Sequence, residues 1–103
     1  MALLDLLGRR MALRILWELS LAQEPLTFRG LQAAAQTNPS VLNKRLKELR
    51  DGRLVAHSGE GYALSAAGNE LLALCLPLHA WADGWASRLK GDRSKSARPA
   101  RRP

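Results

Sequence analysis

Ser40, Asn43, Lys44 and Lys47 are spaced to share one side of a single helix. Their chemistry suits contact with bases and phosphates. An asparagine amide can pair bidentately with adenine, a serine hydroxyl can bond several bases, and lysines meet guanine or the sugar-phosphate backbone. Leu42, Leu46 and Leu49 recur at i, i+4 and i+7, the buried stripe that a helix over 39–50 requires. Asn38 followed by Pro39 reads as a helix start: a capping side chain, then a residue whose missing amide hydrogen is not needed there. Gly52 is the expected stop, and "RLVAH" after it has strand character. An ordinary solvated helix face has the same composition, so the neighbouring elements must decide between the two readings.

Two other groupings have chemical potential. Cys75 and His79 stand at i, i+4 and could share a metal or activate a thiolate. Two ligands are too few for a metal site, and no third lies near in sequence. Cys75 lies among Leu71, Leu72, Leu74, Leu76 and Leu78, which favours a small buried apolar residue in the core or at a dimer seam. Trp17, Trp81 and Trp85 could line an aromatic pocket, but tryptophans at helical spacing more often belong to a core or an interface. No nucleophilic triad, glycine-rich phosphate loop or acidic metal cluster is present in the sequence, so no catalytic residue, metal or cofactor is expected and the chain is not read as an enzyme.

The helix over 39–50 needs a scaffold. "LLDLL" at 3–7 forms a short helical turn or two, punctuated by Gly8. Met11, Ile15, Leu16 and Leu19 then repeat at helical spacing to about Ser20, with Arg14 and Glu18 as an exposed i, i+4 pair. "LAQEP" is a loop. Thr27 can cap a second main helix over roughly 28–36, with Phe28, Leu31 and Ala35 facing inward, and "QTN" turns the chain into the third. That order is helix-turn-helix order. "LVAH" and "YAL" flank a turn containing Gly59 and Gly61 and read as a β-hairpin. Ser65 is a further cap candidate, opening a long helix with Leu71, Leu74, Leu78, Trp81 and Trp85 in one stripe. Pro77 predicts a kink or local break near residues 73–77.

The chain has 103 residues, 47% of them hydrophobic, which suits one domain with a modest core. Sixteen Lys and Arg stand against nine Asp and Glu, a net charge of +7. Most of that excess lies in residues 90–103, where Lys90, Arg93, Lys95, Arg98, Arg101 and Arg102 face only Asp92. Residues 91–103, "GDRSKSARPARRP", lack hydrophobic periodicity and are expected to be a disordered basic tail. A single cysteine argues against a secreted disulfide scaffold. Charges at Asp5, Arg9, Arg10, Arg14 and Glu18 interrupt any signal-peptide pattern, and no run is long enough to span a membrane. The expected location is therefore cytoplasmic, and a DNA-reading helix over 39–50 would associate the protein with the nucleoid.

In order and spacing, four segments resemble the HxlR-type winged helix-turn-helix transcriptional regulators, related to the MarR group. "LLDLLGRRMALRILWEL" is similar to the family's opening, "PLTFRGL" to its Arg-Phe-x-Glu-Leu segment, and "NPSVLNKRLKELRDGRLV" to its recognition helix and first wing strand. "YALSAAGNELLALCLPLHAW" is similar to its Tyr-x-Leu-Thr-x-x-Gly-x-x-Leu segment and later tryptophan. The resemblance spans about residues 3–85. Met11 replaces the family's tryptophan and Arg9 its second glycine. Gly52 falls one residue before the family's turn glycine. The long wing shrinks to "SGEG", with Glu60 at its tip. Many members sense electrophiles or oxidants through a cysteine just before the first helix, and no cysteine stands there in this sequence.

The expected architecture is mainly α with a small β-hairpin: a winged helix-turn-helix over 1–90, including terminal dimerisation helices. The resemblance implies a homodimer that inserts the 39–50 helix into the major groove of double-stranded DNA at a palindromic site. It implies DNA contacts from Ser40, Asn43, Lys44 and Lys47, a phosphate contact near Thr27, and a dimer seam including Leu74, Leu78, Trp81 and Trp85. The alternative is a winged-helix protein-interaction module or a non-specific chromosome-associated protein. Membrane association is not expected, and the sequence carries no support for a small-molecule effector.

Overall fold

The computed structural model describes residues 2–96, with side chains from 3 to 91. Five helices and one hairpin follow in the order α1 (Ala2–Leu7), α2 (Ala12–Leu21), α3 (Phe28–Ala35), α4 (Pro39–Asp51), β1 (Val55–Ser58), β2 (Gly61–Leu64) and α5 (Ala66–Ser96). The chain divides into two units, residues 1–73 and residues 74–103. The first unit holds the packed core.

That core is built almost entirely from the expected stripes. Ile15, Leu16 and Leu19 of α2, Leu31 and Ala35 of α3, and Leu42, Leu46 and Leu49 of α4 are buried together with Leu54, Val55 and Leu72. Each helix turns an apolar stripe inward because only that arrangement removes the leucines from water, worth about 25 cal/mol for each Å² buried. The half-buried Leu3, Leu6, Leu7, Trp17 and Phe28 pack around this centre, so Trp17 belongs to the core rather than to a ligand pocket. Arg14 ties α2 to its surroundings: Nε pairs with Glu18 Oε2 at 2.9 Å, and Nη2 donates to the Ala34 carbonyl at 3.1 Å.

The helix starts follow the capping chemistry. Thr27 Oγ1 accepts from the Gly30 amide at 3.1 Å, and Asn38 Oδ1 from the Val41 amide at 2.8 Å. Ser65 does more. Its hydroxyl oxygen accepts from the Gly68 amide at 3.0 Å and donates to the Arg53 carbonyl at 2.6 Å, while its own amide donates to the Leu54 carbonyl at 3.0 Å. One side chain thus caps α5 and fastens it to the segment after α4. The close approach explains Gly68: a Cβ there would lie 2.2 Å from the Leu54 carbonyl oxygen.

β1 and β2 pair antiparallel, with Val55 opposite Leu64 and Ser58 opposite Gly61. A further bridge joins Leu26 to Tyr62 through amide–carbonyl bonds of 2.9 and 2.7 Å. The segment read as a loop before Thr27 therefore ends in a one-residue extension of the sheet.

Two features differ from expectation. α5 passes through Pro77 as one uninterrupted helix, with no local break. Pro77 and Ala73 are both exposed, so the carbonyl that loses its helical partner can bond water instead. Residues 91–96, expected to be disordered, form the end of α5. No proline falls within 91–96, and cations near a helix C-terminus are favourable. The rest of the proposed tail, 97–103, lies outside the described residues. α4 ends at Asp51 with Gly52 as its C-cap, as expected, and the left-handed residue of this ending is the next one. Gly52 has φ −80°, whereas Arg53 stands at φ 60°.

Candidate nucleic-acid interface

The buried leucines fix which side of α4 faces water. Ser40, Asn43, Lys44 and Lys47 are all exposed on the side away from Leu42, Leu46 and Leu49. Asn38 is committed to its cap and leaves the first turn to Ser40. Asp51 shares the outer face, and its Oδ2 lies 3.5 Å from Lys47 Nζ with both side chains more than two-thirds exposed. So open a pair contributes little, and Lys47 can exchange Asp51 for another anion at small cost.

α3 leads into α4 through a tight reversal. Gln36 adopts φ 55°, the Gln36 amide donates to the Ala33 carbonyl, and the Thr37 amide donates to the Gln32 carbonyl, both at 3.3 Å. These are the two bonds of a Schellman ending. At the other end of α3 Thr27 is exposed. Its oxygen accepts the capping bond, and that bond leaves the hydroxyl proton uncommitted. Between this helix start and the hairpin lies an open groove of about 350 Å³, lined in part by Thr27, Phe28, His57, Glu60 and Tyr62. His57 and Tyr62 face each other across the strands with stacked rings, centroids 4.0 Å apart. Glu60 occupies the exposed turn.

A helix, a Schellman turn, a capped helix with a polar outer face and a short hairpin make up a winged helix-turn-helix. The crystal structure of a possible HxlR family transcriptional factor from Thermoplasma volcanium superposes with a TM-score of 0.74 at 25% sequence identity, over 82% of this chain and 81% of that one. The chain shares the HxlR-type winged-helix fold. No protein-family model matches the sequence, and no curated protein does.

Within this HxlR-type fold, one group of charges is invisible to sequence reading. Arg45, on the flank of α4, donates from Nε to the Arg10 carbonyl at 2.8 Å and from Nη1 to Glu48 Oε1 at 3.0 Å. The other oxygen of Glu48 pairs with Arg9 Nη1. Arg45 is therefore turned toward the α1–α2 connection, and its side chain is only 14% exposed. The i, i+3 spacing of Arg45 and Glu48 is visible in sequence, but nothing there pairs residue 48 with residue 9.

In the second unit, Leu74, Leu78, Trp81 and Trp85 are 76%, 60%, 57% and 46% exposed. Trp81 and Trp85 stack with centroids 6.0 Å apart. Alternating four- and three-residue steps along this row give the spacing of a helix–helix seam. Cys75, expected in the core or at a dimer seam, is half-buried in the single chain and lies outside its buried core, beside the exposed Leu74, Leu76 and Leu78. His79 Nε2 lies 3.6 Å from Asp83 Oδ2. Among the described residues no group of three or more His, Cys, Asp or Glu could hold a metal ion, and no helix is long and apolar enough to cross a membrane.

Proposed function

We propose that this protein is a DNA-binding transcriptional regulator that reads duplex DNA with α4. The observation that carries the reading is the outer face of α4: Ser40, Asn43, Lys44 and Lys47 project from a capped helix that follows α3 through the tight reversal at Gln36 and Thr37. Likeness to a possible HxlR family transcriptional factor supports it. In this reading α4 lies in the major groove, Asn43 and Ser40 reach base edges, Lys44 and Lys47 meet guanine or phosphate, and Thr27 donates to a phosphate.

The reading extends to a homodimer. A second copy is the natural cover for Leu74, Leu78, Trp81 and Trp85, since so large an apolar row is costly to leave in water. Two-fold symmetry would then present two α4 helices to successive major grooves, calling for a palindrome with half-sites about 34 Å apart.

Selection from random duplexes at stated salt tests this reading. The protein should enrich one palindrome. Asn43→Ala should leave the salt dependence intact and cost about 1–3 kcal/mol at one base position. Lys44→Ala should flatten the salt slope by about 0.9 if it meets phosphate, or relax one guanine if it meets a base. Enrichment of no sequence would favour the second reading, a protein-interaction or non-specific chromosome-associated module, for which the acidic wing tip at Glu60 speaks.

A further inference from the structure

The α1–α2 connection grips α4 through directional polar bonds, and this grip is separate from the apolar packing beneath the helix. We infer that Arg45 and Glu48 are positioning residues for base reading: they set the placement of α4 by locking it to the Arg9–Arg10 segment. The inference rests on the proposed reading of DNA by α4.

The geometry is reciprocal. Arg45 spends Nε on the Arg10 carbonyl and Nη1 on Glu48, and Glu48 spends one carboxylate oxygen on Arg45 and the other on Arg9. The bond from Arg45 to Glu48 lies within α4 and holds the planar guanidinium in place, while the two bonds that cross to the connection, Arg45 Nε to the Arg10 carbonyl and Arg9 to Glu48, together restrict α4 in rotation and in height. Leu42, Leu46 and Leu49 cannot do this alone. Apolar burial is non-directional and tolerates small slides and rolls of a helix. Bidentate base contacts do not, because a recognition group must be held within about 0.5 Å of its productive geometry. The anchor is itself stiff. The Arg9 amide donates to the Leu6 carbonyl at 3.1 Å, the Ala12 amide to the Arg9 carbonyl at 3.1 Å, and Met11 is held at φ 71°. The Arg45 and Glu48 side chains are only 14% and 20% exposed, so breaking the pair also weakens the fold, and the test must separate positioning from lost stability.

The test uses the full chain and its selected duplex, and measures the ratio of non-specific to specific Kd. Arg45→Gln removes a positive charge and Glu48→Gln removes a negative one. By charge alone they would move affinity for any DNA in opposite directions and leave the ratio unchanged. Positioning predicts that both lower the ratio, each by about fivefold or more, the discrimination carried by one base contact. Arg45→Lys should fail to restore it, because an ammonium lacks the planar fork. Leu72→Val supplies a destabilised control that should retain the ratio, measured well below every melting temperature. The role is overturned if both glutamine variants keep the ratio, or if the control loses it in proportion to its lost stability. If the unmodified protein selects no duplex, the reading of α4 falls first and this one with it.

Discussion

Arg53 occupies a backbone position that suits glycine better. It stands at φ 60°, donates its amide to the Arg50 carbonyl at 2.9 Å, and is followed by the Leu54 amide on the Leu49 carbonyl at 3.0 Å. That is a complete Schellman ending, with the buried Leu54 and Leu49 as its apolar contact. Gly52, one residue earlier, stands at φ −80°, which any residue adopts, and a Cβ there would meet only ordinary contacts at 3.5 Å and beyond. The glycine and the strained position are thus out of register by one, which accounts for the displaced glycine in the family resemblance. Arg53→Gly should raise unfolding free energy by about 1 kcal/mol. Gly52→Ala should be neutral or raise it by about 0.4–1 kcal/mol. Chemical denaturation of the two variants checks both signs, and a loss in Arg53→Gly would mean that its side chain makes an interaction worth more than the strain. Gly68→Ala should behave oppositely, losing stability because the Leu54 carbonyl cannot withdraw without breaking its bond to Ser65. The caps at Thr27, Asn38 and Ser65 were legible from residue type and place. The left-handed positions of Met11, Gln36 and Arg53 were not, since none is Gly, Asn or Asp and only the tertiary turn imposes them.

Periodicity made the helices and the hairpin readable, because burial imposes a repeat on every segment that packs. The leucines of α4 and the Ile15, Leu16 and Leu19 set of α2 are both expected and buried. For the same reason the polar face of α4 could be named before its geometry was known. What periodicity could not convey is pairing between distant polar groups, such as Arg45 with Arg10 and Glu48 with Arg9, or the lone bridge of Leu26 to Tyr62. It also fails at residues 91–96, which carry no hydrophobic repeat in sequence and yet continue α5. Pro77 is the test at this scale. An interior proline costs a helix about 3 kcal/mol relative to alanine, yet α5 runs through it. Pro77→Ala should therefore raise the stability of α5, read as greater helical circular dichroism retained at elevated temperature. An unchanged or reduced signal would mean that the rest of α5 already compensates the missing bond, or that a bend at Pro77 is needed by whatever covers Leu74 and Leu78.

At the scale of the whole molecule, the two sources of DNA affinity can be separated because they lie in different parts of the chain. The proposed reading head is on α4 in the first unit, and most of the net charge of +7 lies beyond residue 89. The seam that would join two copies lies between them in sequence, at Leu74, Leu78, Trp81 and Trp85. Buried tryptophans at the centre of an interface commonly cost about 2 kcal/mol or more when truncated, so Trp81→Ala or Trp85→Ala should shift the proposed dimer toward monomer in sedimentation at micromolar concentration. A wild-type monomer would remove the palindrome argument with the dimer. Removing residues 91–103 makes a different demand. It deletes Arg93, Lys95, Arg98, Arg101 and Arg102 along with Asp92, and charges of this kind can meet phosphates on any sequence. The plot of log affinity against log salt should flatten by about 0.9 for each phosphate that the shortened chain no longer neutralises. Specific and non-specific affinity should fall by similar factors, so their ratio should survive truncation, whereas Trp81→Ala should reduce that ratio if a dimer couples two half-sites. If instead truncation abolishes selectivity while Asn43→Ala and Lys44→Ala change nothing, the reading head lies outside α4, and its basic outer face is only solvated surface.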